Sequence, residues 1–452
     1  MTKGPTSLAE FGELSRKYNL FAPRYKISKV ARNSHYEIFH PVNAIDSGNN
    51  APIHYLIRGT QDFINFEGSY LLIEGKFVGG TPAASSVTAV AATSATANYG
   101  PVNLLGHSMF KSVDVTLNGT SVSMADQNYA YRAYIQRIFN QVKEALDKTF
   151  SLEGWAKDVP GKMDETTIAQ NTALEKRRKR ANAKAEVTFI VKLVCPIFQI
   201  DELFPSKVDV GITLHKNPNN KFYMMFDDAN NTNYDFQITK AEMWVHKITV
   251  DPEYGLAVEQ ILNENHPIEY ILSDPRVDVH QIPSGVPSFQ KDHITYGNLC
   301  RRLLIGFLDT TAYNGTNKMN PFNFQHFDVR KISLHKDGLE YPRPAIICKM
   351  GDKKYTDAYY HILSTFHANG SPFSMDIDET DLENGFFFAA WEFSPDQLGG
   401  DIPQGLVNQG TNIHLSVEFG AALTTAVSII VYYELDMKVS INQYRQVTVE
   451  SH

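Results

Sequence analysis

The sequence predicts an all-β fold with a few inserted helices, organised as a double jelly roll of two antiparallel eight-stranded β-sandwiches in tandem. Three observations lead to this prediction. Short runs of alternating apolar and polar residues, separated by Gly, Pro, Asn and Asp, make up most of the 452 residues. Aromatic residues form 12% of the chain, and their rings favour half-buried, pleated surfaces. The same order of strand, turn, helix and strand also recurs in both halves.

The predicted strands divide evenly between the two halves. In the first half they lie near residues 36–45, 68–78, 108–118, 186–200, 207–215, 221–227 and 235–250. In the second half they lie near residues 268–282, 301–309, 328–338, 373–379, 385–393, 411–419 and 427–443. The chain is long enough for two domains with separate cores. We therefore expect an N-terminal arm over residues 1–30, a first jelly roll over 31–251, a second over 252–445 and a C-terminal tail over 446–452.

A tight turn followed by an amphipathic helix marks the middle of each half. Asn118-Gly119 and Asp337-Gly338 are dipeptides typical of two-residue β-hairpins. After each turn, apolar residues recur at helical spacing, which predicts helices over residues 127–146 and 356–366. The first stripe consists of Tyr131, Tyr134, Ile135, Ile138, Phe139, Val142 and Leu146, and the second of Tyr359, Ile362, Leu363 and Phe366.

The junction between the halves is predicted after residue 250. Pro252 ends strand pairing, and a short helix that carries Leu256, Ile261 and Leu262 follows it. In the first half, residues 79–101 are rich in Ala, Ser and Thr, whose small side chains bury too little area to offset the cost of ordering the chain. We expect a surface loop there, either decorating an exterior or tolerated as an insertion.

The strongest run of charge is basic. It consists of Lys176, Arg177, Arg178, Lys179 and Arg180. Such a run suits a nuclear address or a patch that contacts the phosphates of DNA. The alternative is a solvated loop, because like charges at this density repel one another and stay in water.

Signatures of catalysis, cofactor binding and metal binding are absent from the sequence, so we expect no enzyme activity, no cofactor and no metal. There is no GxGxxG, GxxxxGK[ST], GxSxG or HExxH motif. The acidic segment 376–381 resembles a calcium loop but has Asp381 where that loop needs Gly. The three cysteines are sparse and unpaired in sequence, which suits a reducing compartment. The start of the chain has no apolar signal segment, and no window is apolar enough to span a membrane.

Several segments resemble one known protein family. They are residues 113–119, 128–134, 296–309, 312–315, 320–324 and 385–395, together with Trp155. They resemble the major capsid proteins of Polinton/Maverick elements and adintoviruses, over roughly residues 30 to 445. The resemblance implies a homotrimer of pseudo-hexagonal outline, an icosahedral shell around double-stranded DNA and a vertex or penton-type partner. It also implies a place in the virion capsid, after synthesis in the host cytoplasm and with the nucleus as a candidate site of assembly.

Aromatic residues in two loops of the second half are candidate subunit-interface anchors. Tyr313, Phe322 and Phe324 are of the type enriched in interface cores, and ordinary core packing is the alternative. The net charge of −8 implies that contact with packaged DNA is weak or indirect. Two other functions stay open: a double β-sandwich carbohydrate-active enzyme or binding protein, and a minor capsid component such as a single-jelly-roll vertex protein.

Overall fold

The computed structural model describes residues 30–45, 51–80, 88–89, 98–123, 127–227, 233–295, 299–336, 338–366, 375–394 and 412–451. The strands of the first half are β1 Ala31–Phe39, β2 Ile53–Ile57, β3 Phe63–Gly80, β4 Thr88–Ala89, β5 Tyr99–Pro101, β6 Phe110–Leu117, β7 Thr120–Ser121, β8 Glu186–Val191, β9 Val210–Lys216, β10 Met224–Phe226 and β11 Asn233–Val250. Those of the second half are β12 Ile268–Ile282, β13 Ser288–Lys291, β14 Arg302–Asp309, β15 Val329–Lys336, β16 Leu339–Glu340, β17 Ile346–Ile347, β18 Phe388–Glu392, β19 Ile413–Phe419, β20 Val427–Ile441 and β21 Val447–Ser451.

Eight α-helices lie between the strands of the described residues. They are α1 Leu105–Ser108, α2 Tyr129–Asn140, α3 Lys143–Lys148, α4 Thr172–Arg178, α5 Asn220–Tyr223, α6 Pro252–Asn263, α7 Thr310–Asn314 and α8 Thr356–Thr365. Short 3₁₀ helices cover Phe150–Glu153, Pro196–Gln199, Met350–Asp352 and Glu379–Glu383. Helix α8 lies where its apolar stripe predicts it, whereas the helix predicted over 127–146 is divided into α2 and α3 by extended backbone at Gln141 and Val142.

The two halves have the same strand order. In the first half one sheet runs β1-β11-β3-β8 and the other runs β2-β9-β6-β7. In the second half the sheets run β12-β20-β14-β18 and β13-β19-β15-β16. Each named pair is antiparallel, and among the described residues no strand of one half pairs with a strand of the other. These orders confirm the predicted fold class, two eight-stranded jelly rolls in tandem.

Facing sheets pack through their apolar side chains. In the second half the ring of Phe307 on β14 lies 6.1 Å from the ring of Phe419 on β19. In the first half Leu71 and Ile73 of β3 and Val115 of β6 are fully buried. Burial of alternate side chains along strands such as β2 and β9 is the pattern that the sequence displays there. We refer to β1-β11-β3-β8 and β12-β20-β14-β18 as the long sheets of the two halves.

The two predicted hairpins are present at equivalent positions. Asn118 and Gly119 both have positive φ, 47° and 83°, which suits a two-residue turn between β6 and β7. Gly338 has a φ of 80° beside the pairing of β15 with β16. A side chain at either glycine would be strained because L-residues rarely adopt this conformation. Asn118, Gly119 and Gly338 therefore lie at the turns of both hairpins, as the sequence predicts.

Several strand predictions differ from the structure. Strands β2 and β13 were missed because they are only five and four residues long, and β13 is mostly exposed and so lacks an apolar period. The strand predicted near 373–379 is wrong for its described part, since residues 375–378 are irregular and Glu379–Glu383 form a 3₁₀ helix. The segment predicted as a tail over 446–452 contains strand β21, which pairs with β20 at a stretch that β14 leaves open.

The helix α6 connects the two halves. Asp251 caps its N-terminus, since Oδ1 accepts a hydrogen bond of 3.0 Å from the backbone N–H of Glu253. Leu262 is buried, whereas Leu256 and Ile261 are exposed. The helix predicted after Pro252 is thus confirmed, although only part of its apolar face is covered in a single chain. The predicted N-terminal arm lies outside the described residues except for residue 30, as does most of the predicted loop over 79–101.

Candidate functional site

The largest aromatic cluster joins the two halves. On the first half, helix α2 presents Tyr131 and Tyr134, which its helical spacing places one turn apart. The ring of Tyr134 stacks on that of Phe322 of the second half, with centroids 4.3 Å apart and planes within 5°. The ring of Tyr131 meets Phe322 edge-on at 5.7 Å and stacks against Tyr313 at 5.9 Å. Contacts of this kind add to the free energy gained from burying the rings.

This cluster corrects the prediction for two of the three candidate interface anchors. Phe322 and Phe324 have no exposed surface in a single chain, because helix α2 and strand β18 cover them. They contact the other half of their own chain and offer no area to a second subunit. Tyr313 is partly exposed, so its role between subunits stays a prediction.

Charged and polar side chains surround the aromatic cluster and bridge the halves. Lys157 of the first half lies 2.8 Å from Asp381 and 3.4 Å from Asp376 of the second. Lys143 lies 3.0 Å from the same Asp376. Because both carboxylates are largely buried, they depend on these lysines for their charge partners. The acidic segment 376–381 therefore helps to hold the two halves together.

A second polar bridge lies over the long sheet of the second half. Gln136 of α2 donates a hydrogen bond of 3.4 Å to the hydroxyl of Tyr432, which donates at 2.7 Å to Oε1 of Glu434. Burial, together with the carboxylate of Glu434, raises the pKa of Tyr432 well above its usual range. The hydroxyl therefore stays protonated and continues to donate to Glu434.

A polar cleft of about 500 Å³ opens between the halves. Its walls include Asp164 and Glu165 from the first half and Asn323 and Glu383 from the second. Asp164 accepts hydrogen bonds from the backbone N–H of Asn320 at 2.7 Å and from the side chain of Asn323 at 2.6 Å. Burial raises the pKa of Asp164, although these hydrogen bonds oppose the rise. Both oxygens of this carboxylate thus hold the loop that carries Phe322.

The long sheets of the two halves differ in how their outer faces are covered. From Val427 to Leu435 every residue of β20 is buried, so both faces of this strand are covered. On β11, Met243 and Val245 are buried while the alternate residues Trp244 and His246 are partly exposed. The outer face of the long sheet is therefore covered over β20 in the second half, whereas it is open around Trp244 and His246 in the first.

Four rings cluster on the open face of the first half. Tyr70 and Trp244 stack with centroids 5.8 Å apart, and Tyr36 stacks on His246 at 4.8 Å. Tyr36 also lies 5.9 Å from Tyr70, which links the two stacks. Tyr36 is 48% exposed and its neighbour Ile38 is 40% exposed. We call Tyr36, Ile38, Tyr70, Trp244 and His246 the outer aromatic patch. No sequence argument singled it out, because alternation alone does not say which face meets solvent.

The basic run does not form a continuous exposed surface. Its first three residues lie in α4, whose N-cap Asn171 accepts a hydrogen bond from the backbone N–H of Leu174. Lys176 and Lys179 are exposed, and Lys179 pairs with Glu175 at 2.8 Å.

Arg177 of that run is part of the interior. Its side chain donates to the carbonyl oxygens of Pro101 and Ala156, each at 2.9 Å, and to Oδ1 of Asp158 at 2.8 Å. Arg178 is also buried, with its guanidinium 5.4 Å from the centre of the Tyr99 ring. The expectation of a wholly solvated run is therefore wrong for Arg177 and Arg178, because they lie on the same face of α4 as Ala173 and Leu174, and this face packs into the interior.

A buried network around His107 was missed by the sequence analysis. Glu153 pairs with Arg137 through two hydrogen bonds of 2.9 Å and lies 3.0 Å from Nε2 of His107. Burial would raise the pKa of Glu153, but His107 and Arg137 hold it below its usual value. Burial lowers the pKa of His107, so the ring is neutral, with Nε2 donating to Glu153 and Nδ1 accepting from the hydroxyl of Tyr129 at 2.9 Å. These residues lie far apart in sequence and match no motif.

Within the described residues, no group of three or more His, Cys, Asp or Glu side chains is arranged to hold a metal ion. Asp378 and Asp381 instead form a reciprocal cap on the 3₁₀ helix Glu379–Glu383. No described helix is long and apolar enough to cross a membrane.

Comparisons with known proteins give one sequence relative and several structural neighbours. No family model matches the sequence. The uncharacterized Caenorhabditis elegans protein F54H12.2 is 21% identical over 356 residues, which is 78% of this chain and 82% of that protein.

The structural neighbours are viral. A chain of the Sputnik virophage structure has a TM-score of 0.62 at 11% identity, covering 97% of this chain and 92% of that one. The Faustovirus major capsid protein has a TM-score of 0.60 at 10% identity, covering 94% and 93%. The mavirus major capsid protein has a TM-score of 0.55 at 11% identity, covering 100% and 96%. At these identities the likeness shows the fold, a double jelly roll over almost the whole chain.

Proposed function

We propose that this chain is the major capsid protein of a double-stranded DNA virus of the Polinton/Maverick–adintovirus type. In this role it trimerises into pseudo-hexagonal capsomers that build an icosahedral shell. The observation that carries the proposal is the pair of jelly rolls with identical strand order, which spans nearly all of the described chain. The same architecture is found in the major capsid proteins of Faustovirus and mavirus. The sequence motifs of the family support the narrower viral assignment.

The architecture suits a shell subunit for physical reasons. Two similar modules in one chain let three chains present six similar modules, so a trimer with cyclic symmetry can tile like a hexagon. Antiparallel sandwiches leave few open strand edges, which limits unspecific pairing at the high local concentration of a shell. The bridge between the halves, with Lys157 bound to Asp376 and Asp381, keeps the two modules in a fixed relation. A rigid building block is what repeated tiling requires.

The remaining partners follow from the same proposal. A shell of hexagonal capsomers needs a separate penton-type protein at its fivefold vertices. A chain with net charge −8 contacts packaged DNA locally, if its exposed lysines Lys176 and Lys179 face the interior. In this proposal the protein is made in the host cytoplasm and becomes part of the virion, with the nucleus as the candidate site of assembly. It acts as a structural protein and not as an enzyme.

Measurement of mass and shape in solution tests the proposal. The purified full-length chain is expected to elute as a particle of about 150 kDa by light scattering, three times the 50.9 kDa of one chain. Negative-stain electron microscopy is expected to show particles of hexagonal outline. A protein that stays monomeric over the whole accessible concentration range would contradict the proposed function.

A further inference from the structure

The two long sheets are equivalent in strand order but unequal in surroundings. The outer face of the second long sheet is covered over β20, β14 and β18 and open at Ile271 on its edge strand β12, whereas the outer face of β1-β11-β3-β8 carries the outer aromatic patch. Clusters of exposed rings on a folded chain normally mark sites of association, since their exposure to water is costly. The surface that covers the second long sheet therefore shows what kind of surface can pack against the outer aromatic patch.

The cover of the second sheet is the helical side of the first half. Phe139 of α2 meets Phe388 of β18 edge-on at 5.0 Å. Gln136 of the same helix binds Tyr432 of β20, as described above. Asn128, which precedes α2, donates a hydrogen bond of 3.1 Å to the carbonyl oxygen of Val277 on β12. Helix α2 and Asn128, the residue before it, thus contact three strands of the second long sheet.

The second half has an equivalent helical side, and it is not covered in a single chain. Helix α8 occupies the place of α2, between the short hairpin and the strand β18. Tyr360 on this helix is 51% exposed, and Ile347 on the neighbouring strand β17 is 50% exposed. Among the described residues, the first half therefore has an open sheet face around Tyr36 and the second half an open helical side around Tyr360.

We propose that the outer aromatic patch of one copy binds the helical side around Tyr360 and Ile347 of a second copy. Within one chain, α2 of the first half packs on the long sheet of the second half. The proposed contact is the equivalent one between chains, with α8 of one copy packed on the first long sheet of another. It is heterologous, because the two surfaces differ, and such contacts form closed rings when the rotation allows. This assignment rests on the proposed trimer and names the surfaces that hold it together. These surfaces take the place of Phe322 and Phe324 as candidate contacts between subunits, because the junction within the chain already buries those two residues.

Charge substitutions at the two surfaces test the assignment. Trp244→Arg, Tyr36→Asp and Tyr360→Asp each place a charge where the contact excludes water, and each is expected to convert trimers to monomers. Leu256→Asp is the matched control, because Leu256 is 70% exposed on α6 and belongs to neither surface. Light scattering gives the oligomeric state, and circular dichroism shows whether each variant keeps its sheet content.

Cross-linking tests the same contact without a disruptive charge. A chain carrying both Trp244→Cys and Tyr360→Cys, treated with a short bismaleimide, is expected to give covalent dimers and trimers. Each single variant is expected to stay uncross-linked, because a given residue does not meet its own copy across a heterologous contact. The background is low, since Cys195, Cys300 and Cys348 are buried and burial raises the pKa of Cys195 to about 11 and of Cys348 to about 12.

The outcomes separate this inference from the proposed function. If the wild type forms trimers, the charge variants also stay trimeric and the double cysteine variant does not cross-link, the assignment of surfaces is wrong. The proposed capsid function is then unaffected. If the wild type forms no trimers, the proposed function itself fails. Trimers that dissociate only in the patch and Tyr360 variants, and that cross-link only in the double variant, would establish the contact.

Discussion

The ring of Tyr134 in the first half lies flat on the ring of Phe322 in the second, with centroids 4.3 Å apart. The two residues are 188 positions apart in the sequence, and both are completely buried. Their stack forms the centre of the junction that makes one rigid unit from two jelly rolls. The junction is also where the strongest effects of substitution are expected.

Phe322→Ala removes one ring of this stack. We expect it to lower the free energy of unfolding by about 3–5 kcal/mol, since a large buried ring leaves a cavity that its neighbours fill only in part. Urea titration followed by fluorescence measures the loss. Tyr444→Ala is the control, because Tyr444 is 75% exposed and its replacement should change stability little. A loss at Phe322 no larger than that of the control would show that the stack does not hold the halves together.

Arg177→Met tests whether the basic run is partly structural. The substitution leaves the carboxylate of Asp158, which is fully buried, without its charge partner. Removing one partner of a buried pair costs about 3–5 kcal/mol, so thermal unfolding should occur at a clearly lower temperature. Adding Asp158→Asn should recover part of the loss, because the uncompensated charge is then removed. Equal stability of Arg177→Met and wild type would contradict the buried pairing.

Lys176→Ala combined with Lys179→Ala tests the exposed part of the same run. Both side chains are exposed, so stability should stay within about 0.5 kcal/mol of wild type. If these residues form a nuclear address, fluorescent fusions of the double variant should remain in the cytoplasm of the host cell while the wild type enters the nucleus. The control replaces Lys184 and Lys192, two other exposed lysines, by Ala. Unchanged localisation together with unchanged DNA packaging would leave the exposed lysines as a solvated surface.

Acidification should destabilise the protein through His107. Burial lowers the pKa of this residue in the folded state, whereas in the unfolded chain it binds a proton near pH 6.5. The unfolded state thus binds more protons below about pH 6.5, so the free energy of unfolding falls as the pH drops from there towards the folded pKa. For one site the slope is at most about 1.4 kcal/mol per pH unit.

The measurement compares urea denaturation at pH 7.5, 6.5 and 5.5 for wild type and His107→Gln. Burial also lowers the pKa of His280 and His326, so the variant should keep a pH dependence but a shallower one than wild type. The comparison uses slopes, because the substitution itself is expected to destabilise the network with Glu153. Identical slopes in the two proteins would show that His107 does not contribute to the acid sensitivity.

The sequence by itself determined the repeated plan of this protein. Strand β12 spans the predicted residues 268–282, and the glycines Gly119 and Gly338 mark the two hairpins. Helix α8 lies where its apolar stripe predicts it, and α2 occupies the first part of the helix predicted over 127–146. These features were predictable because alternation, helical periodicity and left-handed turns are local properties, which follow from a few neighbouring residues.

Only the tertiary structure decided which of the equivalent surfaces are covered. Trp244 and Tyr432 both lie on the outer faces of long sheets, yet Tyr432 is buried beneath Gln136 of α2 and Trp244 is partly exposed. Likewise Arg177 is buried on Asp158 while its neighbour Lys176 points to solvent. Burial at these positions depends on contacts between segments that are distant in sequence, and local patterns do not specify which segments meet.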